Sequence, residues 1–186
     1  MYLRTLLIGL CALTSVGCLS QNPPAKVRWF VSAEIPFAPV SESNAQPLYL
    51  KQVTSRAHLK EPMVWRLSPV ELFFDELERW SVPPAALVEG VLFDALFTTG
   101  PFVASDARDA LELQVHVNLF EGVYGQEDLA VCEIGVVHND GKLIRQRTFR
   151  STQKLESREP DELARRLGRA LYLVALEVRE WAATSG

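Results

Sequence analysis

The clearest signal along the chain is an alternation of apolar and polar residues. Leu111, Leu113, Val115, Val117 and Leu119 are apolar, while Glu112, Gln114, His116 and Asn118 fall between them. Period-2 alternation over nine residues predicts a strand with one packed and one wet face. Leu129 to Val137 predicts a second long strand. His138-Asn139-Asp140-Gly141 then supplies turn residues that tolerate positive φ. Lys142 to Thr152 predicts a third strand, whose exposed arginines suit an edge position.

Earlier in the chain, Leu48 to Thr54 is a short strand candidate. Met63, Trp65 and Leu67 alternate before Ser68-Pro69, and Val70, Leu72 and Phe74 alternate after it. Two alternating runs around a Ser-Pro turn predict a hairpin. Pro83-Pro84 opens a helix, because first-turn N–H groups lack intrahelical partners in any case. Leu87, Val88, Val91, Leu92, Ala95 and Leu96 carry that helix to a stop at Gly100-Pro101. From Pro160, a stripe of Leu163, Leu167, Leu171, Val174, Val178 and Trp181 predicts a long amphipathic helix. The resulting fold class is α+β: a single two-layer domain whose antiparallel or mixed β-sheet carries two amphipathic helices on one face.

The N-terminus has another character. Arg4 precedes an uncharged apolar run from Thr5 to Val16, too short to span a bilayer comfortably. The run ends in Ser15-Val16-Gly17-Cys18, which resembles the bacterial lipobox, with Ser15 where that motif prefers Leu. Residues 1–17 therefore read as a lipoprotein signal peptide, with Cys18 as the lipidation site. Residues 18–27 read as a tether containing Gln, Asn and two Pro, and 28–47 as an irregular lead-in segment broken by Pro36, Pro39 and Pro47. The α+β domain then occupies 48–183. Because Leu19 is not Asp, the sorting convention for lipoproteins favours the outer membrane, facing the periplasm.

Composition sharpens this picture. At 48% hydrophobic and 23% charged, the chain can build a core. With Arg4 removed in the signal, 18 basic residues face 23 acidic ones, a net charge of −5, which argues against nucleic-acid binding. Cys11 lies in the signal, so Cys132 is the one thiol left in the folded domain, and its alternating neighbours predict a core position.

The sequence supplies no catalytic constellation. His58, His116 and His138 lack metal-ligand spacing, and the latter two are expected to be solvated. There is no nucleophile elbow or phosphate loop, and Asp75, Glu76 and Glu78 read as a solvated charged turn. No catalytic residue, metal site or cofactor is expected beyond covalent lipid on Cys18. Nine basic residues between Lys142 and Arg169 oppose acids concentrated in 71–78 and 106–128. This asymmetry suits a solvated face, or docking to a partner or a second copy of the chain.

The segment MVWRLSPVELFFDELERWSVPPAALVEGVLFDAL, residues 63–96, has an aromatic hairpin, an Arg-Trp pair and a Pro-Pro helix start. Arg66, Phe73, Phe74, Arg79, Trp80, Pro83 and Pro84 make it similar to the auxiliary lipoprotein component of ABC-type transport systems, the family accompanying MCE-type and paraquat-inducible-type lipid transporters. The likeness covers about residues 46 to 182, with Phe73-Phe74 where tyrosines are often found. It implies a non-enzymatic, lipid-anchored periplasmic subunit that docks on an MCE-type protein. The candidate contacts are Arg79, Trp80, Arg145, Arg147 and Arg150. An assembly or pilot lipoprotein for an outer-membrane secretin or lipopolysaccharide channel is the competing expectation.

Overall fold

The computed structural model describes residues 25–31, 36–39, 45–107 and 110–184. The signal peptide, Cys18 and most of the tether lie outside the described residues.

The longest strand, β7 (Leu111–Val123), organises the sheet. Along one side it pairs antiparallel with β8 (Leu129–Asn139), which pairs antiparallel with β9 (Ile144–Lys154). Along its other side three short strands follow one another in parallel. These are β2 (Gln46–Leu50) at Leu111–Leu113, β3 (Thr54–Ser55) at His116–Val117 and β4 (Pro62–Ser68) at Gly122–Val123. β6 (Phe102–Ala104) flanks β2, β5 (Glu71–Trp80) flanks β4, and β1 (Arg28–Phe30) flanks β5. The sheet is thus mixed, with nine strands among the described residues.

Helix α1 (Pro84–Phe93), continued by a π-helical turn at Asp94–Thr98, packs on β7 and on α2 (Pro160–Thr184). Helix α2 also covers β8 and β9, so both helices share one face. The interface is filled by Leu113, Val115, Val117, Ile134 and Val136 against Leu163, Leu167, Leu171, Val174 and Val178. The polar side of α2 faces solvent, as its stripe predicts. Gly100 closes the α1 end tightly: a Cβ there would stand 2.2 Å from the Ala95 carbonyl oxygen.

Several expectations change. The 28–47 segment is not irregular throughout, because Arg28–Phe30 forms β1 and β2 already begins at Gln46. Prolines 36 and 39 fall between these strands, and Trp29-Phe30 finds a partner in β5. The expected strand from Leu48 to Thr54 is two strands, interrupted at residues 51–53. Asp75, Glu76 and Glu78 lie within β5 rather than in a turn before a helix.

The strict alternation of β7 also breaks. A register shift between Val117 and Leu119 leaves Asn118 as an extra residue. Leu119 consequently rotates away from the core, and Phe120 is buried in its place, 5.2 Å from the Trp80 ring. At the β8–β9 turn, Asp140 Oδ1 accepts hydrogen bonds from the Lys142 and Leu143 amides, and Gly141 takes φ +81°. His138 is the last buried residue of β8 rather than a solvated turn residue, and it packs edge-on against Trp181 at 5.7 Å.

Candidate docking surface

The β4–β5 hairpin projects beyond the end of β7, since Arg66 is already level with Val123. Its base is rigid on both faces. On one face Trp65 pairs with Gly122 and stacks on Tyr124 at 4.9 Å, and Arg158 caps Tyr124 at 4.2 Å. On the other, Arg66 reaches the fully buried Glu121 carboxylate, with Nε 2.5 Å from Oε1 and Nη2 3.2 Å from Oε2. His58 Nε2 lies 3.8 Å from the same carboxylate. A buried carboxylate is costly without a cation, so this pair locks β4 onto β7 and fixes the hairpin's direction.

Above this base the hairpin is apolar and uncovered. Val70 at the tip is 96% exposed and Leu67 beside it is exposed, while Phe73 and Phe74, level with Trp65 and Val64 of the base, and Leu77 farther from the tip are exposed too. Phe73 and Phe74 pair with successive residues of β4, Trp65 and Val64, so their rings lie on opposite faces of the ribbon. Farther along β5, Asp75 Oδ1 accepts hydrogen bonds from the Leu77 and Glu78 amides, shaping a bulge. Glu78, buried, pairs with Arg28 of β1 at 2.7 Å. Beside that pair, Trp29 is 59% exposed.

The five candidate contact residues separate. Trp80 is 1% exposed, with its ring among the core side chains, so it braces the fold and offers no surface to a partner. Arg79 stays near the surface, its Nε donating to the Glu76 carbonyl. Arg145, Arg147 and Arg150 all lie on β9, which pairs with β8 alone among the described strands. They are not on one face. Arg145 and Arg147 share the helix side with Phe149, where Arg147 lies over the Phe149 ring at 4.9 Å near Glu177 and Glu180. Arg150 lies on the other side, bonded to Glu133 at 3.2 Å. The edge therefore presents cations from both faces, partly countered by acids.

Chemistry is sparse elsewhere. Burial pushes the Cys132 thiol up to about 12, leaving it protonated in the core. His116 Nδ1 hydrogen-bonds with Thr54 Oγ1 at 2.9 Å. Among the described residues no group of three or more His, Cys, Asp or Glu could hold a metal. An open groove between β2, β6 and α1 is lined by Leu48, Tyr49, Leu50, Phe93 and Phe97, with Glu89 and Asp106 at its rim. Among the described residues no helix is long and apolar enough to cross a membrane. The Arg66–Glu121 pair and the Phe73/Phe74 exposure escaped the sequence reading of the site. The one available signal was Glu121 between Phe120 and Gly122 near the end of β7, and Arg66 as the sole charged residue of β4.

The family described as the ABC-type transport auxiliary lipoprotein component matches residues 32–179. The chain belongs to this family. The auxiliary lipoprotein is similar in structure to a Xanthomonas campestris protein of family DUF330, at 20% identity and TM-score 0.75, covering 86% of this chain and 96% of that one. An uncharacterized protein aligns at 18% identity and TM-score 0.65, covering 87% and 100%. A hypothetical protein from Chlamydia trachomatis aligns at 8% identity and TM-score 0.52, covering 75% and 99%. These likenesses establish a shared fold. No curated protein sequence matches the auxiliary lipoprotein at a significant level. Family membership assigns it an accessory role in transport and a lipid-anchored place in the cell envelope.

Proposed function

We propose that this auxiliary lipoprotein is the non-catalytic docking subunit of an MCE-type lipid transport system. Lipid on Cys18 holds it to the outer membrane, and it contacts the periplasmic MCE-type protein through the β9 edge. The family match over residues 32–179 carries the reading, and the form of β9 supports it. An eleven-residue edge strand with no described neighbour on its outer side offers backbone hydrogen-bonding groups to an incoming strand. Its arginines would select an acidic partner and keep copies from joining edge to edge.

The sequence carries no ATP-binding motif, and in this reading the transporter's other subunits provide both the energy and the path for lipid. The subunit contributes position: two or three acyl chains, each gaining about 0.8 kcal/mol per buried CH₂, make the attachment durable.

The test is affinity capture of the lipidated protein from envelope membranes, wild type against an Arg147→Glu/Arg150→Glu variant. Wild type is expected to retain an MCE-type protein and the variant to lose it. Capture of an outer-membrane secretin or lipopolysaccharide channel instead would overturn the proposal in favour of an assembly role.

A further inference from the structure

The geometry points to the β4–β5 hairpin tip as a second membrane contact, a short apolar wedge seated in the lipid surface to which Cys18 is anchored. This rests on the lipid-anchor reading of Cys18.

Strand direction supplies the first reason. β1 runs parallel to β5, with Arg28 level with Glu78, so the chain before Arg28 leads back towards the hairpin tip. The tip, Val70, lies eight residues from Glu78, at most about 26 Å because the strand bulges between Asp75 and Glu78. Cys18 lies ten residues before Arg28, a reach of at most about 35 Å. The anchor can therefore leave the domain at the hairpin's end and extend to the level of its tip.

The shape of the exposed surface supplies the second. A groove on a folded partner would cover one face of a ribbon. Here Phe73 and Phe74 are uncovered on opposite faces and Val70 at the apex between the strands. A fluid lipid surface can enclose all three. From Val70 to Phe73 is about 10 Å along the strand, comparable to the 5–10 Å depth of interfacial apolar groups. The turn's backbone groups disfavour deeper entry into hydrocarbon, where they would lose their hydrogen bonds to water.

Charge supplies the third. Between the tip and Phe73 the ionisable side chains are Glu71 and Arg66, and Arg66 is held by the buried Glu121 carboxylate, so attraction to anionic lipid plays little part. Contact with zwitterionic lipid should be insensitive to salt.

The mature lipidated protein, carrying a single environment-sensitive fluorophore at Val70→Cys, is reconstituted into phosphatidylethanolamine–phosphatidylcholine vesicles with or without brominated acyl chains. Cys132 is buried and stays unlabelled. The control position is Ile144→Cys, 69% exposed but at the other end of the sheet, beside Asn139. Brominated lipid is expected to quench the label at 70 at least twofold and leave that at 144 unchanged. A Phe73→Ser/Phe74→Ser variant should lose the quenching while still floating with the vesicles. Protein that floats with an unquenched label at 70 overturns the wedge but leaves the anchor standing. Should that label also be shielded from aqueous iodide, another protein or a second copy covers the tip. Wild-type protein that fails to float overturns the anchor reading itself.

Discussion

Gly122 and Trp65 fit because one has no side chain: a Cβ at 122 would stand 2.2 Å from Trp65 Cε3. The indole fills that space, stacks on Tyr124 and sets the angle at which the hairpin leaves the sheet. Gly122→Ala must displace the ring or the strand. It is expected to lower stability by about 3 kcal/mol, the upper range for overpacking, as read by chemical denaturation. An unchanged midpoint would show that β4 is not held by this contact.

Glu121 and Arg66 depend on each other. Arg66→Ala strands the fully buried Glu121 carboxylate and should cost about 3–5 kcal/mol. Replacing both, with Glu121→Leu and Arg66→Met, should recover most of that loss, because the buried charge goes with its partner. A double-mutant cycle read by urea denaturation measures the coupling. Additive losses would argue that the pair does not act as a unit.

His138 gives a pH dependence of definite sign. Burial lowers its basicity below the ordinary 6.5, the nearby Arg145 charge acts in the same direction, and Asp140 opposes them. The unfolded chain thus takes up a proton that the folded chain refuses. Stability should fall as pH drops through 6.5 and continue falling to the lower folded value. His138→Phe keeps an aromatic ring beside Trp181 and should flatten the profile in that window.

A second loss belongs to carboxylates and lies below pH 4.5. Burial pushes Glu162 up, but Arg166, the Glu156 amide and Arg165 more than offset it, leaving it below its ordinary 4.5. The hydrogen bond from Arg158 holds Asp128 down, and the Leu143 and Lys142 amides hold Asp140 down. Their stabilisation is full above the unfolded values and is lost as pH falls through the folded ones. His138→Phe should retain this acid transition, which thermal melts across pH 3 to 8 would separate from the first.

The thiols report on folding and processing together. With Cys132 buried and its thiolate disfavoured, maleimide should label no thiol in native mature protein and one after denaturation. A second thiol on denaturation would mean that Cys18 is free. Rapid native labelling would contradict the buried position of Cys132.

Periodicity revealed the long elements well, because each packs one continuous face: α2, β8 and the first half of β7 follow their stripes. It failed where one residue changes the phase. The extra residue at Asn118 turns Phe120 inward and buries Glu121 on the opposite side, which no count of alternating residues anticipates. Short strands such as Arg28–Phe30 and Thr54–Ser55 exist only through their neighbours, β5 and β7, and carry little pattern of their own. At the candidate site, the family resemblance offered Arg79 and Trp80 together as contacts, but alternation along β5 sends Arg79 outward and Trp80 into the core. The three β9 arginines were legible as an edge, whereas their division between two faces emerges only with the register against β8.

The role proposed for this domain depends on where lipid places it, and the intact mass of the mature N-terminus tests that most directly. The expected product begins at Cys18 and carries a diacylglyceryl thioether, with a further acyl chain where the amine is modified. An uncut chain, or a mature protein with an unmodified Cys18, would contradict the anchored docking role.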